Sequence, residues 1–478
     1  MLTIAGTSFM KILTTKRMII FISFVLVVWA VIFVLPLGMT DTNAYFKAVN
    51  ERELQIDEIG QLRDIEEEFH SMSLAGDSFT NWNTDYQAFW KYSIAFGFYG
   101  LPSAIIINPE KMPQYKVLMD TMIWKMKSKK VWGDFTDFGF GADPISMQNI
   151  MYKGHLNLMY GLYQLSTGDM RYAKEYTWLT GQIAQEMRLH HQGIYEGVTC
   201  EPNAWFVECN TIGMLSLHIY DKLYTTSYTE NEVQWSLDFI MQRMQDEETG
   251  LFYRYYQPNH DFVKQEITGY ANAWILTFLN PFLPEQMKQS YQSFKQNLSV
   301  NYGPYASIYS RIGHNQKPDR IAHIFGLWAA KEFNDPELFG KLRNGIDKVG
   351  DLGPHLERGG LSYDNPDNSL INGVVLASKL HLGWETVLAH DWGYAGIPYA
   401  IPDTSNMTWV DILPQQIYSS EEASPLPVYT DKRACPSCFW GDFDSEIMKK
   451  TKAEKEAADQ SCSTAEGESC GMYQLLEQ

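Results

Sequence analysis

The spacing of hydrophobic and polar positions changes several times along the chain, and each change marks an element. Met18 to Leu37 (MIIFISFVLVVWAVIFVLPL) is an uncharged apolar run about long enough to cross a bilayer as a helix. Between residues 40 and 70 the run NERELQIDEIGQLRDIEEEFHSM puts Glu and Asp at helical spacing, the pattern of a solvated helix leading into a domain. YSIAFGFYGLPSAIIINP then has the apolar content of a buried helix that stops near Pro102. Beyond it, apolar helical stretches such as NIMYKGHLNLMYGLYQL alternate with looser second helices. Each unit opens on a glycine followed within three residues by an aromatic: Gly139-Phe140, Gly193-Ile194-Tyr195, Gly250-Leu251-Phe252, Gly303-Pro304-Tyr305 and Gly360-Leu361-Ser362-Tyr363. The intervals are 54, 57, 53 and 57 residues, so one unit is a helical hairpin. The span from Asp64 to Tyr399 holds six of them, which predicts an all-α (α/α)6 barrel, a toroid with inner and outer helix rings. GLFYRYY and GVTC read alternatively as short strands, too few for an α/β sheet.

The predicted organisation is a cytoplasmic N-terminus (1–17), a transmembrane anchor or uncleaved signal (18–38), an acidic helical linker (39–63), the barrel (64–400) and a Cys-containing, partly disordered tail (401–478). In such a barrel every loop after a marker precedes an inner helix and opens on the same rim. Met151 and His155, four apart on one helical face, Cys200 and Cys209, and Tyr270 and Trp274 would converge there on an aromatic, sulfur-lined cavity. Taken singly, His155 also fits a hydrogen-bonded core position, and Tyr270 and Trp274 fit core packing. Their common phase relative to the markers favours the cavity.

Charge narrows the partners. With 38 basic against 57 acidic residues, the net charge of −19 argues against nucleic acid and against electrostatic capture by anionic lipid. A neutral or cationic small molecule fits better. Lys11, Lys16 and Arg17 precede the apolar run, which predicts a single-pass membrane protein with its domain extracytoplasmic or lumenal. The run is longer than a signal-peptide core; cleavage after Gly38 is the alternative. In the tail, Cys435 and Cys438 suit a local disulfide better than a metal or redox site; Cys462 and Cys470 follow without an assigned role. Asn297-Leu298-Ser299 and Asn406-Met407-Thr408 are glycosylation sequons.

The densest chemistry lies in Gly197 to Asn210 (GVTCEPNAWFVECN). If Pro202 opens a helix, Cys200 falls just before it and Cys209 on its second or third turn. A thiol at a helix N-terminus is favoured as thiolate, whereas one buried among Trp205, Phe206 and Val207 stays protonated, so the pair could divide base and acid work. A disulfide between the two, or two inert core cysteines, are the other readings. A metal site fits poorly, because the spacing is long and the stretch holds no His.

These residues and the runs KYSIAFGFYGL, KMKSKKVWGDFTDFGFGADPI, NIMYKGHLNLMYGLYQLSTG and Tyr270 to Trp274 resemble the linalool dehydratase/isomerase family, over roughly Asp64 to Leu382. The resemblance implies an (α/α)6 barrel without metal or organic cofactor. It also implies an exported cyclic homo-oligomer with active sites near subunit contacts. The reaction implied interconverts a tertiary allylic terpene alcohol with a diene plus water, and with its primary allylic isomer. By the same resemblance Asp64, His155, Cys200 and Cys209 form the acid–base set, and Tyr92, Met151, Tyr270 and Trp274 the wall of a site for a small hydrophobic alcohol. His70 stands where the family has a tyrosine. Asp64 with His70 would orient the hydroxyl, His155 and Cys209 would share the leaving-group proton, and Cys200 as thiolate would take the carbon-bound proton. Covalent attack by a thiolate fits the same residues. Two rival readings remain: a carbohydrate-active enzyme using carboxylates such as Asp64, Asp143 and Glu201, and a non-catalytic isoprenoid binder.

Overall fold

The computed structural model describes residues 41–71, 90–313, 316–349, 352–355, 360–363, 369–393 and 399–413. The expected membrane segment and the four tail cysteines lie outside the described residues. Among the described residues no helix is long and apolar enough to cross a membrane.

The main helices are α1 (Ile56–Ser71), α2 (Trp90–Tyr99), α3 (Leu101–Ile107), α4 (Met112–Met126), α5 (Lys129–Asp137), α6 (Ile150–Thr167), α7 (Ala173–Met187), α8 (Val207–Tyr224), α9 (Gln234–Phe239), α10 (Gly269–Leu279), α11 (Pro284–Leu298), α12 (Arg320–Glu332), α13 (Pro336–Val349), α14 (Ser369–Leu380) and α15 (Trp384–Ala389). Helices α2, α6, α8, α10, α12 and α14 each pack against the next, and α14 returns to α2, so six inner helices close a ring. Around them α1, α4, α7, α9 with its flanking π-turns, α11 and α13 form an outer layer. Burial separates the two layers as composition requires. Every residue of α6 and α10 is buried, as in a helix surrounded by others, whereas α11 buries only Met287, Ser290, Tyr291, Phe294 and Leu298, one stripe at helical spacing.

Each marker precedes an inner helix, as the repeat predicts. Gly139, Gly193, Gly250 and Gly303 all have positive φ, between 67° and 88°, a conformation that costs glycine no steric penalty. The strands are small and belong to these connections. β1 (Trp205–Phe206), β2 (Tyr255–Gln257) and β3 (Phe262–Lys264) form one antiparallel sheet, while β4 (Ser299–Tyr302) with β5 (Tyr305–Ile308) and β6 (Leu352–His355) with β7 (Gly360–Tyr363) form hairpins. All lie between an outer and an inner helix and so gather at one rim.

The buried helix expected to stop near Pro102 is α2, which stops at Tyr99, and Pro102 sits in the opening turn of α3, where its missing N–H costs nothing. The acidic segment is not a solvated linker. Arg52, Asp57, Glu58, Gln61, Leu62, Ile65 and Phe69 are buried, and α1 is the outer helix that packs on α14 and β7. Its charges go inside because partners distant in sequence meet them. Lys379 of α14 lies 2.8 Å from Asp57 and 3.1 Å from Asp347, the Tyr45 hydroxyl donates to Asp57 at 2.7 Å, and Arg52 pairs with Glu58.

Candidate active site

The Cys200 loop is built by a tight turn rather than a helix start. Pro202 occupies the second place of a four-residue turn, Asn203 follows with φ of 57°, and the Ala204 N–H bonds the Glu201 carbonyl at 3.0 Å. The chain then runs as β1, paired with β2, before α8 opens at Val207. Cys209 therefore lies in the first turn of α8, not the second or third, and Cys200 is the sulfur farther from the helix dipole.

Asn210 fixes the two relative to each other. Its amide accepts from the Val198 N–H at 2.9 Å and donates to the Val198 and Phe206 carbonyls, each at 2.9 Å. The Cys200 carbonyl in turn accepts the Asn149 N–H at 3.1 Å, joining this loop to the start of α6. Both cysteines are buried, free thiols, which leaves the disulfide reading unrealised. Burial pushes both thiols up. The contact between the two thiols adds to the rise at Cys200 and counteracts it at Cys209.

Beside α6 in the inner ring stands an aromatic box. On α2, Tyr92, Phe96 and Tyr99 share one face. The Tyr99 hydroxyl lies 2.6 Å from His155 Nδ1, its ring stacked on the imidazole at 14°. Tyr92, Phe96 and Trp274 meet the imidazole with ring centroids at 5.4, 5.2 and 5.8 Å, and Phe325 stacks on Trp274 at 5.2 Å. His155 is fully buried, and among the described residues its Nε2 has no hydrogen-bond partner. Burial, with the Lys91 cation adding to it, lowers its pKa to about 3, so it is neutral. Burial also keeps the Tyr99 phenol protonated. The hydroxyl and Nδ1 share one hydrogen bond whose direction follows the imidazole tautomer; with the phenol as donor, the imidazole proton lies on Nε2.

Tyr92 links the box to the thiols. Its hydroxyl donates to the Met151 sulfur at 3.0 Å. Burial raises its pKa, and Cys209, Cys200 and Glu201 lie near enough to raise it further. Tyr270 belongs to a neighbouring buried group: its hydroxyl lies 3.3 Å from Glu208 Oε1, and the Arg254 guanidinium stands over its ring at 5.3 Å.

His155, Met151 and Trp274 meet around Tyr92, and Cys200, Cys209 and Tyr270 are buried in the adjoining loop and helices. Asp64 is half-buried on the outer helix α1, and His70 is in the last turn of α1 with its side chain outside the described residues. Phe96, Tyr99, Asn210, Glu208 and Arg254 were not singled out from sequence. Phe96 and Tyr99 follow Tyr92 at helical spacing and were open to the same argument that found Trp274. Asp143 is committed elsewhere, accepting the Ile145 and Ser146 N–H groups at 3.0 Å each, which weakens the carboxylate-pair reading. Among the described residues no three or more His, Cys, Asp or Glu side chains are grouped as a metal site would need.

A ring of helical hairpins carrying buried thiols and a neutral imidazole at one rim defines the class. Residues 91–369 match the linalool dehydratase/isomerase family, and the chain belongs to it. Solved structures with a similar course of chain include a possible member of glycoside hydrolase family 105 from Salmonella enterica serovar Paratyphi A, at 13% identity over 70% of this chain and 95% of that one, TM-score 0.48. Another is an α-1,6-mannanase from a Salegentibacter species, at 13% identity over 67% and 98%, TM-score 0.43. A third is a glycoside hydrolase family 76 mannosidase from Bacteroides thetaiotaomicron, at 12% identity over 69% and 98%, TM-score 0.44. The ring closure described above rests on the helix contacts of this chain alone.

Proposed function

We propose that this protein dehydrates an allylic terpene alcohol to a diene, reversibly, and moves the hydroxyl between the two ends of the allylic system, using its own side chains and no cofactor. The observation that carries the reading is His155: a neutral imidazole boxed by aromatic rings, whose Nε2 has no hydrogen-bond partner among the described residues, in the same buried region as two free thiols. Nε2–H would donate to the substrate hydroxyl and orient it. Cys209 then passes its proton to that oxygen, the C–O bond breaks, and water leaves an allylic cation facing the rings of Tyr92, Phe96 and Trp274. The Cys209 thiolate, steadied by the Cys200 S–H, takes a proton from the carbon beside the cation. Diene and water are released, and both thiols are restored. Return of water to the other end of the allyl cation, with its proton going back to Cys209, gives the isomer.

This cycle suits a buried site, because it begins and ends with every group neutral and separates charge only in passing. Asp64 and His70 lie in the second half of α1, and the hydroxyl-orienting role is proposed for them from the family resemblance. Export, a membrane anchor over 18–38 and a cyclic oligomer belong to the same proposal. The test is incubation of the full-length protein with a panel of terpene alcohols and dienes, read by gas chromatography. Diene formation lost in Cys209→Ser and Cys200→Ser is the expected result; no product from any alcohol, or full activity in both variants, overturns the reading.

A further inference from the structure

The Cys200 loop is held from two sides, by Asn210 of α8 at Val198 and by the opening of α6 at Thr199 and Cys200. The second hold begins in an uncommon backbone. Gln148 and Asn149 have φ of 57° and 54°, two successive left-handed residues, neither of them glycine. Asparagine adopts that conformation readily and glutamine does not, so Gln148 must be held there. Its N–H donates to Glu186 Oε2 at 2.6 Å, an acceptor in the last turn of α7. The other Glu186 oxygen takes the Nζ of Lys153, from the first turn of α6, and both side chains of this pair are buried. Asn149 does not cap α6 with its side chain, whose amide donates instead to the Pro144 carbonyl at 2.9 Å. With the backbone turned in this way, the Asn149 and Ile150 N–H groups reach the Cys200 and Thr199 carbonyls at 3.1 and 3.3 Å.

We propose that Glu186 is a positioning residue for Cys200, aimed by Lys153: it holds Gln148 in the left-handed turn that lays the Asn149 N–H on the Cys200 carbonyl. Lys153 lies between Met151 and His155 on one helix, so the pair ties the loop that carries the thiol to the helix that carries the imidazole. Neither residue of the pair has a role in the set carried over from the family. A buried ion pair is a costly way to join two helices, because both charges leave water, and apolar side chains of similar size would join them as well or better. What apolar side chains cannot supply is an acceptor for the Gln148 N–H. The purpose of this hold rests on the acid–base reading above; the hold itself is a property of the resting protein.

The test uses the full-length protein without substrate and reads the rate of iodoacetamide labelling of Cys200 relative to Cys209 by peptide mass spectrometry. Two double variants remove both charges together, so that neither is left buried alone. Lys153→Met with Glu186→Leu has no acceptor for the Gln148 N–H, and the ratio of Cys200 to Cys209 labelling should rise about tenfold as the loop opens locally. Lys153→Met with Glu186→Gln keeps an acceptor oxygen and should stay within about threefold of the wild type. Adding Gln148→Gly to the Leu variant supplies the left-handed turn without the acceptor and should bring the ratio back toward the wild type. A ratio unchanged in the Leu variant, or raised equally in the Leu and Gln variants, overturns the proposal. If the Leu variant does not fold, Gln148→Gly alone decides: glycine relieves a residue held in a left-handed turn, so the melting temperature should rise, and one that stays or falls refutes the held turn. These readings need no substrate, so failure of the terpene panel would leave them untouched and the two results are separable.

Discussion

His155 is a donor with one free end. Its folded pKa of about 3 stands against about 6.5 in an unfolded chain, so acid protonates the unfolded state first. The stability this contributes is fully present above about pH 6.5 and is lost as pH falls toward 3, on the order of 5 kcal/mol in all. His155→Gln should therefore show a flatter fall of melting temperature between pH 7 and pH 4 than the wild type. For the same reason kcat/KM should carry no limb from His155 between pH 5 and 8, and a limb near pH 6.5 abolished in His155→Gln would contradict the neutral imidazole. Tyr99→Phe removes the group that sets the tautomer and should lower kcat by about tenfold while leaving the fold intact. The importance of His155 and of the cysteine pair was readable from residue type and phase. The course of the Cys200 loop was not, because it depends on a turn that Asn203 closes with positive φ.

Helix α1 shows why an element can be recognised and misplaced. Its helical period was plain, but its carboxylates looked like a water-facing stripe. Asp57 illustrates the reason: burial alone would raise its carboxyl, yet Lys379 and the Tyr45 hydroxyl together hold it below the usual carboxylate range. Lys379→Met would leave Asp57 and Asp347 buried without their cation and should cost about 3–5 kcal/mol in denaturant unfolding. Gly60 marks the same contact. A Cβ there would lie 2.1 Å from the Leu361 carbonyl oxygen, so Gly60→Ala, which favours a helix in isolation, should destabilise the protein by about 1–3 kcal/mol and loosen α1 from β7. A more stable Gly60→Ala protein would show that α1 docks otherwise. A polar residue four places into several inner helices was a further legible signal. Asn210 pins Val198, Asn272 pins Phe252, and His323 pins Ser307, each binding the segment that leads into its helix.

At the scale of the whole molecule, the inner ring closes only when α14 meets α2, helices far apart in sequence, and α1 covers that seam. Deleting residues 41–71 should therefore prevent cooperative folding of the barrel rather than trim it, and a single sharp unfolding transition in the deleted protein would refute this. The proposed topology is checked separately: protease added to sealed vesicles should reach the barrel only from the extracytoplasmic face.

The sequence by itself determined the hairpin repeat, the rim on which the marker loops gather and the family. These depend on local period and on glycines whose positive φ recurs at nearly equal intervals, so they are written in short stretches of chain. Tertiary structure decided that the Cys200 loop is a turn and a strand rather than a helix start, that His155 is neutral, and that an acidic helix is buried. Each depends on what the fold brings from elsewhere in the chain, β2 beside β1, the aromatic rings around His155 and Lys379 at Asp57, and no pattern within one element encodes its distance to another.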